Sequence, residues 1–249
     1  MPSPAPPRPW LAAAVLLLGG ALLAASANEA QIRRALAERL PNLPPIDEVT
    51  RTPMPGLWEV RIGTDVLYTD ERGDFLVQGT VFDTRTRTNL TEQRLARLTA
   101  IDFAALPLAD AMVVRQGSGA RRIAVFGDPN CSFCRRFERD LMALRDVTIY
   151  MFLYPILGPD STAKSRAIWC TRDPMQAWRA LMVEGVAPPR VIGGCDDGAL
   201  ARNVALGQRH RVGGTPFVVF EDGTRRQGAL GAAELERLLA AHSRPPTRR

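Results

Sequence analysis

Apolar positions change their period several times along the chain. Leu11 to Leu23 is an apolar run preceded by Arg8 and followed by Ala25-Ser26-Ala27. This is the layout of an export leader: a basic start, an apolar stretch and an Ala-x-Ala cleavage site. The run is shorter than the ~20 residues a spanning helix needs. The reading is therefore cleavage after Ala27 and a mature chain from Asn28, with an uncleaved anchor as the alternative. No later segment reaches spanning length. From Glu29 to Leu40, apolar Ile32, Leu36 and Leu40 recur every fourth position, which predicts a short amphipathic helix stopped by Pro41, Pro44 and Pro45. The period then falls to two: Trp58, Val60 and Ile62; Val66 and Tyr68; Phe75 and Val77 across Asp70-Glu71-Arg72-Gly73; then Val81. Alternation punctuated by glycine predicts a small antiparallel meander. A helix and meander over 28–88 make a unit small enough to gain stability from a partner, so self-association is expected.

Helical spacing returns at Leu95, Leu98, Ile101 or Phe103, and Leu106, predicting a connecting helix from Thr91 that Pro107 ends. Arg115 to Gly119 reads as a loop. Ile123 to Phe126 is a short continuous apolar run of buried-strand type, and Val147 to Leu153 reads as a second strand. Composition adds that the chain folds: 46% hydrophobic and 23% charged residues are globular proportions. The net charge of +6 comes from arginines in scattered pairs such as Arg121-Arg122 and Arg225-Arg226, with Lys164 the only lysine. Without a dense basic patch interleaved with aromatics, nucleic acid is not an expected partner.

The four cysteines carry the chemistry. In Asp128-Pro129-Asn130-Cys131-Ser132-Phe133-Cys134, the first cysteine follows a strand, and Phe137, Leu141 and Leu144 continue at helical spacing. Cys131 thus sits at a helix N-terminus. There, free N–H groups, the helix dipole and Arg135 or Arg136 would stabilise a thiolate. Cys134 lies one turn inside, within disulfide reach. The expectation is that Cys131 attacks and Cys134 resolves. A Cys-x-x-Cys is also half a zinc site, but Cys170 and Cys195 do not repeat the motif and the only histidines are His210 and His242. Structural zinc and an inert 131–134 disulfide remain as minor alternatives; no metal or cofactor is expected.

These features, together with Val66-Leu67-Tyr68-Thr69-Asp70, Gln78-Gly79, Ala167-Ile168-Trp169-Cys170, Gly213-Gly214-Thr215-Pro216 and Asp222-Gly223-Thr224, resemble the bacterial periplasmic disulfide isomerases of the DsbC/DsbG family over nearly the whole mature chain. The resemblance implies an α+β protein: a cystatin-like dimerisation domain (28–88), a linker helix (89–106), and a thioredoxin-fold α/β domain (107–249) with a helical insertion at about 158–207. It implies a substrate-binding cis-proline loop at Thr215 and Pro216, for which an ordinary trans proline opening the strand is the alternative. It also implies a structural disulfide between Cys170 and Cys195, against which a second redox pair stands as the other reading. The redox-tuning dipeptide is Ser132-Phe133, where the best-known isomerases carry Gly-Tyr; small-then-aromatic is kept and the phenol hydroxyl is lost.

The implied activity is isomerisation or reduction of non-native disulfides in exported proteins, in the periplasm, by a homodimer whose electron donor is a membrane thiol reductase. An oxidase of the same fold and a non-catalytic holdase chaperone are the competing readings. Asp128 reads as turn chemistry before Pro129 or as a proton partner of the cysteines. Trp169 and Trp178 read as core, and His210 as solvated surface without a role.

Overall fold

The computed structural model describes residues 27–243. The expected leader, 1–27, lies outside the described residues except for Ala27. The chain divides into two compact units, with the boundary in sequence after Leu98. In the first, residues 27–39 form helix α1, which lays Ile32 and Leu36 on a sheet. Leu40 falls just past the helix end and is exposed, so the four-residue spacing runs one position too far. The sheet is an antiparallel meander of β1 (Glu48–Arg51), β2 (Leu57–Ile62), β3 (Asp65–Asp70) and β4 (Leu76–Val77). Alternation is kept in β2 and β3: Trp58, Val60, Val66 and Tyr68 are buried. The turn before β4 is built by Asp70, whose Oδ1 accepts the Asp74 and Phe75 amides at 2.7 and 3.0 Å, and by Gly73 at φ +70°, a conformation natural only to glycine. β4 itself breaks the pattern, since Phe75, Leu76 and Val77 are all exposed.

After the hairpin β5 (Phe82–Asp83) and β6 (Thr88–Asn89), helix α2 spans Leu90–Leu98. The expected linker helix at 89–106 is thus cut short. Arg94 binds Glu59 and Glu48 at 2.7 and 2.5 Å, so α2 belongs to the first unit. The apolar residues that prolong its spacing serve a different core. Asp102 caps a 3-10 turn at Phe103–Ala105, the Ile101 amide donates to the Gly223 carbonyl at 3.0 Å, and Ile101, Phe103 and Leu106 are buried in the second unit. The second compact unit accordingly begins at Thr99.

The second unit is a five-stranded sheet ordered β11-β10-β8-β9-β7: β7 (Met112–Gln116), β8 (Arg121–Gly127), β9 (Val147–Leu153), β10 (Phe217–Phe220) and β11 (Arg225–Gln227). Only β8 and β9 are parallel, joined through helix α3 (Ser132–Met142). Arg115 and Gln116, expected in a loop, end β7. β8 is buried on both faces from Ile123 to Phe126, which is why that stretch reads as an unbroken apolar run. Ile123 and Val125 join the layer containing α3 and the C-terminal helix α7 (Ala232–His242). Ala124 and Phe126 join the opposite layer, with Leu206 of helix α6 (Gly198–Arg209).

Between β9 and β10 lies a helical insertion: α4 (Pro159–Trp169), α5 (Pro174–Arg179), a π-helical turn (Ala180–Glu184) and α6. Cys170 caps α4 and is bonded to Cys195, just ahead of α6, with Cα atoms 5.9 Å apart. The Arg166–Asp197 ion pair at 2.7 Å and the Trp169 indole N–H on the Asp196 carbonyl at 3.0 Å make the same junction. Trp178 is core as expected, whereas Trp169 is only half-buried. Closing a loop of this length restrains the unfolded chain by about 3.5 kcal/mol. Replacing both Cys170 and Cys195 with Ala is expected to lower the unfolding free energy of the second unit by about 3 kcal/mol in urea titrations. Unchanged stability would show that the bridge constrains nothing.

Candidate active site

β8 ends at Gly127 and delivers the chain into a tight turn before α3. A β-carbon on Gly127 would lie 2.9 Å from the Trp178 ring, so only glycine fits there. Asp128 follows, fully buried. Its Oδ1 accepts the Asn130 amide and the Ser161 hydroxyl, both at 2.7 Å; its Oδ2 accepts the Ile156 and Leu157 amides at 2.8 and 3.0 Å. Its carbonyl takes the Cys131 amide at 3.1 Å. Each carboxylate oxygen thus accepts two hydrogen bonds, from the turn, the insertion and the chain leaving β9. This makes Asp128 the keystone of the turn, the turn-chemistry reading of this residue. Asn130 extends the clamp to α4, donating to Asp160 and Ser161 and accepting from Lys164 at 2.7 Å.

Cys131 is the N-cap of α3, with its sulfur 3.2 Å from the Cys134 amide. In thiol form it donates to the Thr215 carbonyl, also at 3.2 Å. Thr215–Pro216 is a cis peptide bond, so the alternative of a trans proline is excluded. The structure therefore brings together Cys131, Ser132, Phe133, Cys134, Thr215 and Pro216. Cys131 and Cys134 are free thiols, and Cys170 and Cys195 form their separate pair, unavailable to complete a zinc set with them.

The two thiols differ sharply. Cys131 is lowered to about 6, chiefly because the Cys134 thiol donates to its thiolate. The Thr215 hydroxyl and the Cys134 and Phe133 amides add to this, against an opposing cost of burial. Cys134 is pushed well up, because its proton is held by Cys131 and because it is buried. The Asp128 backbone N–H offsets part of that rise. The expected help from Arg135 or Arg136 does not lead: both are exposed on the outer face of α3, and hydrogen bonds at the helix terminus carry the effect.

The Glu138 side chain was not anticipated. It belongs to no motif in the run from Arg135 to Asp140, yet it is buried on the Cys134 side of α3. It accepts the Trp178 indole N–H at 2.8 Å and Arg179 Nε at 3.0 Å, tying the reactive helix to the insertion. Burial raises its pKa and these two donors lower it in part. Nothing short of knowing that α5 covers this face could have marked it. His210, expected on the surface, is half-buried at the end of α6. Around the mouth, Phe133 is 63% and Leu157 55% exposed, so apolar surface flanks the turn on both the helix side and the insertion side.

Residues 23–92 match the disulfide bond isomerase protein N-terminal domain and residues 108–243 a thioredoxin-like domain. The chain is 44% identical to the probable thiol:disulfide interchange protein DsbC of Bordetella pertussis over 78% of its own length and 68% of that protein's. It belongs to the DsbC family. DsbC of Escherichia coli is 29% identical over 88% of this chain and 91% of its own. A crystal structure of a disulfide interchange protein from Neisseria gonorrhoeae superposes with a TM-score of 0.51 and 34% identity, covering 55% of this chain and 98% of that one. This DsbC relative is accordingly an α+β thiol:disulfide isomerase built on a thioredoxin fold.

Replacing Asp128 with Asn keeps the shape but supplies one acceptor oxygen for four donors. It is expected to cost about 2–4 kcal/mol, since two of the four donors around a fully buried side chain lose their partner. Amide hydrogen exchange at Ile156 and Leu157 should accelerate with it. Stability within about 0.5 kcal/mol of the parent would contradict the clamp.

Proposed function

We propose that this chain repairs wrong disulfides in exported proteins, with Cys131 as nucleophile and Cys134 as resolving thiol. The observation that carries the reading is the set of donors on the Cys131 sulfur, which holds it as a thiolate at neutral pH beside the Thr215 backbone. The thiolate attacks one sulfur of a client disulfide, forming a Cys131–client mixed disulfide and releasing the other client sulfur as a thiolate. That thiolate attacks a second disulfide in the client. The thiolate freed in turn displaces Cys131, so pairing is exchanged with no net gain or loss of electrons. If the client stalls, Cys134 gives up its proton and attacks the Cys131 sulfur. The client leaves reduced and a Cys131–Cys134 disulfide remains. Restoring the dithiol then takes two electrons, which we assign to a membrane thiol reductase. Thr215 and Pro216 align the extended client, and Ser132-Phe133 sets the balance between attack and release.

The periplasm fits the leader pattern at 1–27, with cleavage after Ala27. Among the described residues no helix is long and apolar enough to cross a membrane. The first unit is assigned to homodimerisation: β4 is an edge strand, paired only to β3, and Phe75 beside it is 70% exposed. Such an edge is a ready template for a second copy. An oxidase would use the same cysteines but has no need of this unit, and a holdase would have no need of the lowered Cys131.

In a refolding assay on a scrambled disulfide protein, Cys131→Ser is expected to lose turnover by at least about a hundredfold. Cys134→Ala should still attack and should accumulate mixed disulfides with clients on a non-reducing gel. Near-normal activity of Cys131→Ser would reverse the roles. Full activity after alkylation of both thiols would favour the holdase.

A further inference from the structure

Arg209, His210 and Arg211 close α6, and Arg225 and Arg226 begin β11, far apart in sequence. The fold joins them. Arg225 Nη1 donates to the His210 carbonyl at 2.6 Å, and its guanidinium lies 5.5 Å over the Phe217 ring. Arg209 and Arg211 are exposed beside it. The charges feel one another: besides burial, Arg209 and Arg225 press the His210 pKa down, and Arg211 does the same to Arg225. The acids of the β10–β11 turn are committed elsewhere, Glu221 to Arg122 and Asp222 to His242, both at 2.7 Å. Arg226 belongs to the other side, where Glu234 feels its charge.

Topology places the Arg211 end of this cluster near the site, while Arg225, opposite Val219, sits two positions along the sheet from Phe217 and reaches back over that ring. β10 runs antiparallel to β8, pairing Phe217 with Phe126, so it starts at the sheet end where β8 hands over to the Cys131 turn. From Arg211 the chain passes through Val212, Gly213 and Gly214 to Thr215, whose carbonyl is 3.2 Å from the Cys131 sulfur. An extended client lying beside Gly213 to Thr215 advances about 3.3 Å per residue, so side chains a few positions from its cysteine reach toward Arg211 and the end of α6.

We propose that Arg209, Arg211 and Arg225 form a cationic rim on the cis-proline side of the mouth that selects client disulfides flanked by aspartate or glutamate. The proposal rests on the reading of Cys131 as the nucleophile toward polypeptide disulfides. Clustered positive charge at a reaction mouth raises the encounter rate of acidic partners and loses that effect as salt shortens the Debye length.

The test uses the full reduced protein and three synthetic disulfide-bridged peptides that differ only in flanking Glu, Gln or Lys. At low ionic strength, the Glu peptide is expected to be cleaved about tenfold faster than the Lys peptide. The ratio should fall toward one in high salt and in Arg209→Ser/Arg211→Ser, and persist in Arg209→Lys/Arg211→Lys. Taking a ratio removes any general loss of activity in the variants. Equal rates for Glu and Lys peptides, or a ratio undiminished in the Ser variant, would overturn the rim while leaving the nucleophile standing. Failure to cleave even the Gln peptide would overturn the nucleophile reading and the rim with it.

Discussion

The buried Asp128 carboxylate holds together the three segments that meet around Cys131. It accepts from Asn130 inside the turn, from Ser161 on the insertion, and from the Ile156 and Leu157 amides where the chain leaves β9. A buried charge is tolerated only when its lone pairs are filled, and here four donors fill them. The consequence is geometric. With these segments pinned, Cys131 can cap α3 and present its sulfur to the Cys134 amide and to Thr215 without relying on a flexible loop. Glu138 does the same on the other side of the helix through Trp178 and Arg179. The insertion thereby becomes a brace on the reactive helix as well as a covering for it.

The lowered Cys131 and raised Cys134 follow from one shared proton. Whichever sulfur sits at the helix terminus gains the amide donors, and the other, a turn inside and more deeply buried, is left holding the hydrogen. This polarity fits exchange that begins with attack by Cys131 and keeps Cys134 in reserve. Apolar Phe133 and Leu157 at the mouth, and the arginines beyond Thr215, then bear on which chains are attacked rather than on how the attack proceeds.

Much of this was legible in the residues. Ile123 to Phe126 of β8 read as an unbroken apolar run because both faces of the strand are covered there, and Cys131 is legible at a helix start because a strand runs into a helical period at that point. What was lost was lost for physical reasons. Leu95 to Leu106 keep one helical spacing although Leu98 ends the helix, because a second core happens to need apolar residues next. β7 is an edge strand with Val113 exposed, so it lacks the strong signal of its neighbours. Phe75 and Val77 alternate like buried positions, yet nothing in the chain described covers them. Arg209, Arg211 and Arg225 read as scattered charges because only the α6–β11 contact brings them together. Glu138 was hidden by an insertion that covers it from more than a helix away in sequence.

The central claim is that the turn holds one thiolate at Cys131 and one thiol at Cys134. Thiolate absorbance of the reduced Cys170–Cys195-bridged protein, titrated with pH and assigned by alkylation and peptide mapping, tests it directly. The account predicts a single thiolate per chain, on Cys131, appearing with a midpoint near 6, with Cys134 unlabelled at neutral pH. Because the Cys131 pKa is lowered on folding, the reduced form should also gain stability as pH rises from about 6 toward the unfolded value and lose it as pH falls through 6. A midpoint near the ordinary thiol value, or labelling shared equally between Cys131 and Cys134, would contradict it.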